Sequence, residues 1–205
     1  MRRIKWEVLG DLASRVFVGA LFALLSHNLL TDFIHTRRVT GLLFLVSEAL
    51  VVVLTIVRRR AQIVDRSVST FCLTAISLVG PPLVRVGGTA LMPDMVTAAV
   101  SIVGVSIVIA GKATIGRSFG IAPANRGVVA SGPYNFVRHP IYAGYLLTHA
   151  ATLVAYPSLW NIAAMLIGDI ALVLRALREE RILSHDRDYQ SYCGRVAWHL
   201  VPGVY

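Results

Sequence analysis

The sequence predicts an all-α protein, a polytopic transmembrane helix bundle with five or six spans. Of its 205 residues, 56% are hydrophobic and only 15% are charged, and the mean hydropathy is +0.67. A soluble domain of this length carries more charge, because it needs a hydrated exterior. Long apolar stretches also recur along the whole chain. These observations favour an integral membrane protein.

Six apolar stretches are candidate spans. A bilayer core about 30 Å thick requires about 20 apolar residues in a helix, and about 17 are acceptable. The stretches are Val16–Ile34, Gly41–Val57, Val68–Val84, Met95–Gly111, Ile141–Ala155 and Leu159–Leu174. The last two are short and are separated only by Tyr156, Pro157 and Ser158. This spacing predicts a tight helical hairpin that is either fully spanning or partly re-entrant, which leaves five or six spans.

The distribution of basic residues predicts the orientation. With six spans, 17 of the 20 lysines and arginines fall on one side of the membrane. The other side receives only Arg37, Arg38 and Arg85. Because cytoplasmic loops are enriched in basic residues, we expect a multi-pass protein with both termini in the cytoplasm. Both termini on one side also favour an even number of spans.

Charge and cysteine content exclude other classes of protein. The net charge is +9, but the basic residues lie between apolar runs, as expected for contacts with lipid headgroups rather than nucleic acid. The two cysteines, Cys72 and Cys193, have no neighbouring cysteine or histidine at metal-ligand spacing. We therefore expect no metal site. The sequence shows no feature that requires a protein partner.

The chain divides into two regions. Residues 1–111 are predicted to form a four-helix transmembrane region with short loops. Residues 112–205 contain a long loop over 112–140, the helical hairpin, and a charged C-terminal helix and tail from residue 175. The loop and the tail lie on the same predicted membrane face, so the polar side chains of a functional site are expected there.

The end of the loop contains a candidate anion site. Gly132 and Pro133 favour a turn, and Pro140 suits the first turn of the following helix. Arg138 and His139 then lie at a helix N-terminus, where free N–H groups and the helix dipole favour an anion. The alternative is that both residues cap the helix and contact lipid headgroups.

The final apolar span and its extension contain the acidic candidates. Arg175 and Glu179 are four residues apart and share a helix face, while Asp169 and Glu180 are eleven apart and share another. The alternative is a charged helix that leaves the membrane, stabilised by its own ion pairs.

Glu48, Asp169 and His149 lie inside predicted spans. Glu48 and Asp169 are ionisable groups at membrane depth, and such groups are usually functional. His149 faces either the site or a neighbouring helix.

Together these segments resemble the isoprenylcysteine carboxyl methyltransferase family, which is itself similar to the membrane phospholipid N-methyltransferases. The resemblance covers roughly residues 112–203. The matching residues are Gly132, Tyr134, Arg138, His139, Pro140, Tyr142 and Gly144, then Glu179, Glu180 and Leu183, then Tyr189, Tyr192, Arg195, Val196 and Pro202. An Arg-His-Pro element alone also occurs in membrane sterol reductases. The Glu-Glu pair and the Tyr-x-x-Tyr-x-x-Arg tail make the resemblance to methyltransferases more specific.

The resemblance implies an S-adenosylmethionine pocket at the cytoplasmic face, formed by the loop and the C-terminal tail. A lipophilic or small methyl acceptor would enter from the bilayer. The residues implied to line the cofactor are Arg126, Gly127, Val128, Val129, Tyr134, His139, Pro140, Ile141, Tyr142, Glu179 and Glu180. The residues implied to be catalytic, by holding the substrate or orienting carboxylates, are Arg138, Arg175 and Arg195.

Two other functions remain open at this point. One is an NADPH-dependent membrane reductase of the sterol-reductase type, although no additional basic cluster is present for a 2′-phosphate. The other is a non-enzymatic membrane scaffold. The sequence also leaves open whether a methyl acceptor would be a carboxylate, an amine, a hydroxyl or a thiol.

Overall fold

The computed structural model describes residues 39–61, 63–65, 67–85 and 89–204, together with residues 12, 13, 15–20, 22–24, 26, 27, 30, 31 and 34. This part of the chain is mostly helical, as the sequence predicts. Every described residue between 12 and 34 is helical. The remaining positions of the predicted first span lie outside the described residues, and so do Arg2, Arg3, Lys5, Arg37, Arg38 and Arg66.

From residue 39 onward the described chain forms six α-helices. They are α1 (Val39–Val57), α2 (Val68–Val79), α3 (Asp94–Ile115), α4 (Pro140–Ala155), α5 (Leu159–Leu183) and α6 (Arg187–Arg195). Three 3₁₀ turns cover Pro81–Leu83, Gly116–Ser118 and Gly132–Asn135. A short antiparallel pair, β1 (Ile63–Val64) with β2 (Ala124–Asn125), joins the loops after α1 and α3. The sequence predicts an all-α fold, and this short strand pair differs from that prediction.

Among the described residues, two helices are long and apolar enough to cross a membrane, Asp94–Ser118 and Leu159–Leu183. Only 22% and 39% of their most apolar segments are buried inside the protein, so most of these apolar side chains face outward. Helix α2 has twelve residues and is therefore about 18 Å long, too short for a bilayer core of about 30 Å. It ends where Gly80 is followed by two prolines. The prediction of five or six spans is not confirmed.

Glycines allow two pairs of helices to approach closely. A Cβ atom on Gly144 of α4 would lie 2.6 Å from the carbonyl oxygen of Gly104 on α3. A Cβ atom on Gly80, at the end of α2, would lie 3.2 Å from the carbonyl oxygen of Ala164 on α5. Small residues at such contacts are typical of packed membrane helices. The resulting bundle places the N-terminus of α4 beside the C-terminal turns of α5.

The structure places Lys112 in a helix, so the predicted start of the loop is wrong. The sequence predicts a cytoplasmic loop from residue 112, but α3 continues to Ile115 and ends at Gly116, whose φ is +49°. The Lys112 side chain is fully buried. Its Nζ atom donates hydrogen bonds to the backbone oxygen and the hydroxyl of Ser47 on α1, at 2.9 and 2.8 Å, and lies 3.4 Å from Glu48. One of the 17 basic residues thus joins α1 to α3 instead of contacting headgroups.

Candidate functional site

Glu180, near the end of α5, binds three side chains at the start of α4 and in the tail. Its Oε1 atom lies 2.8 Å from His139 Nε2 and 2.6 Å from His199 Nδ1. Its Oε2 atom accepts a hydrogen bond from Arg138 Nη1 at 3.3 Å. Both carboxylate oxygens are therefore occupied. We call these four residues the Glu180 cluster.

The tail also covers the N-terminus of α4 through its backbone. The N–H groups of Arg138 and His139 donate to the carbonyl oxygens of Trp198 and His199, both at 2.9 Å. Arg138 Nε donates to the carbonyl oxygen of Val196 at 2.8 Å. These donors were expected to face an anion, and they contact the tail instead. His199 was not identified from the sequence, because no regular spacing relates it to Glu180.

A second polar group lies beside the Glu180 cluster. The hydroxyl of Tyr142 on α4 donates to Glu179 Oε2 at 2.8 Å, and the Tyr142 ring stacks on His139 with 5.3 Å between centroids. The Arg175 guanidinium lies 5.3 Å from the Tyr142 ring centroid. Arg175 is only 7% exposed, and its Nε atom has no hydrogen-bond partner among the described residues. A buried guanidinium with an unpaired N–H group is a candidate anion-binding group.

The loop and the tail meet in a cluster of tyrosines. Its members are Tyr134, Tyr189, Tyr192 and Val196, with Val128 and Val129 packed against them. The hydroxyl of Tyr192 donates to the backbone oxygen of Tyr134 at 2.7 Å. Burial raises the pKa of Tyr192 to about 12 and that of Tyr134 well above its usual value, so both hydroxyls stay protonated at neutral pH. Three residues predicted to line the cofactor therefore belong to this packed cluster.

A second contact joins the loop to the N-terminus of α6. Asn125 Nδ2 donates to Asp186 Oδ2 at 2.8 Å, and this hydrogen bond holds the pKa of Asp186 below its usual range. Next to Asn125, Arg126 is buried and its Nη1 atom donates to the backbone oxygen of Ala122 at 3.3 Å. Gly127 has a φ of +97°, a conformation that favours glycine. The loop thus has a defined conformation beside the tail.

The other predicted site residues lie apart from these groups. Pro140 and Ile141 are buried at the start of α4, where Ile141 packs next to Gly111 of α3. Arg195 is exposed at the end of α6. The three arginines predicted to be catalytic are therefore placed in three different environments.

An open cavity of about 480 Å³ lies between the end of α5 and α6. Its lining includes Arg138, Glu180, Arg181, Tyr189 and Cys193. Of the residues predicted to bind the cofactor, Glu180 lines this cavity. The predicted cofactor pocket between the loop and the tail stays a prediction.

A comparison with known families matches one segment of the chain, and this segment contains most of the polar site residues described above. Residues 89–186 match the sequence profile of the phospholipid methyltransferases. This segment of the chain is therefore similar to the phospholipid methyltransferases. That family includes the isoprenylcysteine carboxyl methyltransferases, so the predicted resemblance is confirmed.

The segment matched to the phospholipid methyltransferase family begins before α3 and ends just after α5. It contains Arg138, His139, Tyr142, Arg175, Glu179 and Glu180, whereas Arg195 and His199 lie beyond it. A comparison with curated protein sequences found no match. The match to this family supports a membrane methyltransferase.

Proposed function

We propose that the protein transfers the methyl group of S-adenosylmethionine to a lipophilic or small acceptor at the membrane. The observation that carries this proposal is the position of Arg175 and Glu179 beside Tyr142, within the segment that matches the methyltransferase family. When bound, S-adenosylmethionine would supply an electrophilic methyl group to the lone pair of the acceptor, with S-adenosylhomocysteine as the leaving group. The protein therefore has to align the two reactants and exclude water, and needs little covalent machinery.

Glu179 and Glu180 differ in whether a carboxylate oxygen is available to contact the cofactor. Glu179 accepts one hydrogen bond through Oε2, and its Oε1 atom has no hydrogen-bond partner in the part of the chain that the structure describes. This oxygen suits the ammonium group or the ribose hydroxyls of S-adenosylmethionine. Glu180 already binds Arg138, His139 and His199. We therefore assign cofactor contact to Glu179 and the positioning of His139 to Glu180.

Arg175 is the group best suited to the acceptor. It follows the apolar part of α5, whose exposed side chains include Ile170 and Leu174, at the height where the polar group of a lipid lies when its chains stay in the bilayer. The guanidinium offers planar, charge-assisted hydrogen bonds to a carboxylate or a phosphate. A carboxylate acceptor needs only to be oriented, whereas an amine has to lose a proton, for which Glu179 is the nearest candidate base.

Binding of S-adenosylhomocysteine to the purified protein tests the proposal. We expect isothermal titration calorimetry to show binding, with affinity at least about tenfold weaker in His139→Ala and Glu179→Ala, the equivalent of about 1.4 kcal/mol. Asp188→Ala, on the exposed side of α6, is the control and should bind normally. Incubation with labelled S-adenosylmethionine and a lipid extract should then give a labelled lipid. Binding of NADPH instead would support a reductase, and binding of neither ligand would contradict an enzyme of either kind.

A further inference from the structure

A second cavity, of about 610 Å³, lies between α1 and the helical segment that contains residues 12, 13 and 15–20. Leu12 and Val16 line one side of it, and Val52 and Ile56 of α1 line the other. Within each pair the residues are four apart, so each pair lies on one face of its helix. Leu12, Val16 and Ile56 are 54%, 65% and 61% exposed. The cavity is therefore an apolar groove that opens to the exterior of the bundle, and we call it the α1 groove.

Small residues make room in the α1 groove. Gly19 and Ala20 both line it, about one turn after Val16. A Cβ atom built on Gly19 meets no described atom within 4 Å, so the two helices leave space between them that neither fills. The volume of the groove is within the range of about 300–1,000 Å³ that is typical of small-molecule pockets. The apolar chain of a ligand can therefore lie there.

Two arginines lie at one end of the α1 groove. Arg15 Nη1 donates to the backbone oxygen of Ile56 at 2.8 Å, which fixes this guanidinium beside the last turn of α1. Arg60 follows the end of α1 and is exposed, and its guanidinium makes no hydrogen bond or ion pair with a described residue. Among the described residues that line the groove, none is acidic. An apolar groove thus ends at a net positive charge.

This charge determines the class of headgroup that suits the α1 groove. Guanidinium groups bind a phosphate through planar, charge-assisted hydrogen bonds. A zwitterionic headgroup also brings an ammonium group, for which the described lining of the groove offers no carboxylate. Basic pockets between membrane helices are typical sites for anionic headgroups. A lipid with a net negative charge is therefore favoured over a zwitterionic one.

We propose that the α1 groove binds one anionic phospholipid, with its phosphate at Arg15 and Arg60 and an acyl chain along the apolar side chains. This lipid is not a methyl acceptor, and the inference does not depend on the proposed function. Tyr142 of the candidate site packs in the core with Val51 and Leu54 of α1, which do not line the groove. The bound lipid fills the space between the two helices and binds to both of them.

Native mass spectrometry of the full chain in detergent, titrated with phosphatidylglycerol or with phosphatidylcholine of the same chains, tests the proposal. We expect one phosphatidylglycerol to bind per chain, at least about tenfold more tightly than phosphatidylcholine, because each arginine near an anionic headgroup is worth roughly fivefold in affinity. Arg60→Gln should therefore weaken the binding of phosphatidylglycerol about fivefold. Arg59→Gln is the matched control, since Arg59 is also exposed but does not line the groove. It should bind as the wild type does.

A second variant tests the apolar part of the groove. Gly19→Leu places a side chain in the open space and should abolish binding of the lipid. Gly194→Leu on α6 is its control, because a Cβ atom there also meets nothing within 4 Å but lies outside the groove. Glycerol phosphate, which has the headgroup phosphate without acyl chains, should not displace the lipid.

Four results would each overturn the proposal. They are equal affinity for the two lipids, undiminished binding by Gly19→Leu, displacement of the lipid by glycerol phosphate, and a dimer of the chain that excludes the lipid. Circular dichroism shows whether Gly19→Leu is folded. If it is not, the comparison of Arg60→Gln with Arg59→Gln decides, and equal binding by these two variants would contradict the site.

Discussion

Glu179 and Glu180 are neighbours in sequence, yet they have different surroundings. Consecutive residues on an α-helix point about 100° apart, so the two carboxylates face different parts of α4. Glu180 meets His139, Arg138 and the tail, whereas Glu179 meets only the hydroxyl of Tyr142 among the described side chains. One carboxylate of the pair thus holds side chains of α4 and the tail, whereas the other is the one that the proposed function assigns to ligand contact.

At the residue scale, we predict that Arg175→Lys lowers turnover by at least about tenfold, or about 1.4 kcal/mol of transition-state stabilisation. Lysine keeps the positive charge but loses the planar pair of hydrogen bonds that suits a carboxylate or a phosphate. Affinity for S-adenosylhomocysteine should be unchanged. The measurement is steady-state methylation of a labelled lipid by the reconstituted protein.

Arg187→Lys is the control for this variant, because Arg187 is exposed at the start of α6. It should have normal turnover. If Arg175→Lys were equally active, the Arg175 side chain would merely extend towards the lipid headgroups, and its assignment to the acceptor would be wrong.

At the scale of elements, the hydroxyl of Tyr192 is one of the contacts that attach α6 to the loop. We predict that Tyr192→Phe lowers the free energy of unfolding by about 1 kcal/mol, because the buried backbone oxygen of Tyr134 loses its donor. Tyr156→Phe is the control, since the Tyr156 hydroxyl has no hydrogen-bond partner in the described chain. Chemical denaturation in detergent measures both variants. Equal stability of the Tyr192 variant and the wild type would show that the hydroxyl does not hold α6.

The same hydrogen bond predicts a dependence on pH. Burial raises the pKa of Tyr192 from 10.0 to about 12. A group with a raised pKa stabilises the folded state fully below its unfolded pKa, and this contribution is lost as the pH rises through the folded pKa. The stability advantage of the wild type over Tyr192→Phe should therefore be constant below pH 10 and decrease as the pH rises towards 12.

The contact between α3 and α4 gives a second prediction at this scale. Gly144→Ala should lower the free energy of unfolding by about 2 kcal/mol, because the added methyl group would lie 2.6 Å from the Gly104 oxygen and 2.7 Å from Val108 Cγ2. Gly194→Ala on α6 is the matched control, since a Cβ atom there meets nothing within 4 Å. Thermal unfolding followed by circular dichroism distinguishes the two. A neutral Gly144→Ala variant would mean that the helices can separate at little cost.

At the scale of the whole molecule, the distribution of basic residues predicts that both termini are cytoplasmic. Single cysteines placed at Arg59 or Arg187, in a chain with Cys72 and Cys193 replaced by serine, should resist a membrane-impermeant thiol reagent added to intact cells. They should react after the cells are permeabilised. Labelling in intact cells at either position would reverse the orientation.

The sequence predicts the hairpin and the polar residues at the end of it that meets the tail, because both depend on local patterns. The limits of α4 and α5 follow from Pro140, from Ser158 as N-cap and from apolar runs. By contrast, the contact of Glu180 with His199 depends on how the tail folds back, which no periodicity reveals. The sequence predicts a loop at Lys112, and this prediction is wrong for a similar reason, because its partner Ser47 lies on a distant helix. Contacts between distant segments are therefore where sequence reasoning is weakest.

The hydrogen bonds from Arg138 and His139 to the tail also bear on the order in which this part of the protein is assembled during biosynthesis. Residues 198 and 199 are translated some sixty residues after the segment that they cover. Until these residues have left the ribosome, the N–H groups of Arg138 and His139 lack their partners in the tail. The contact of Glu180 with His199 likewise forms only after the tail has been translated, so the Glu180 cluster is assembled late.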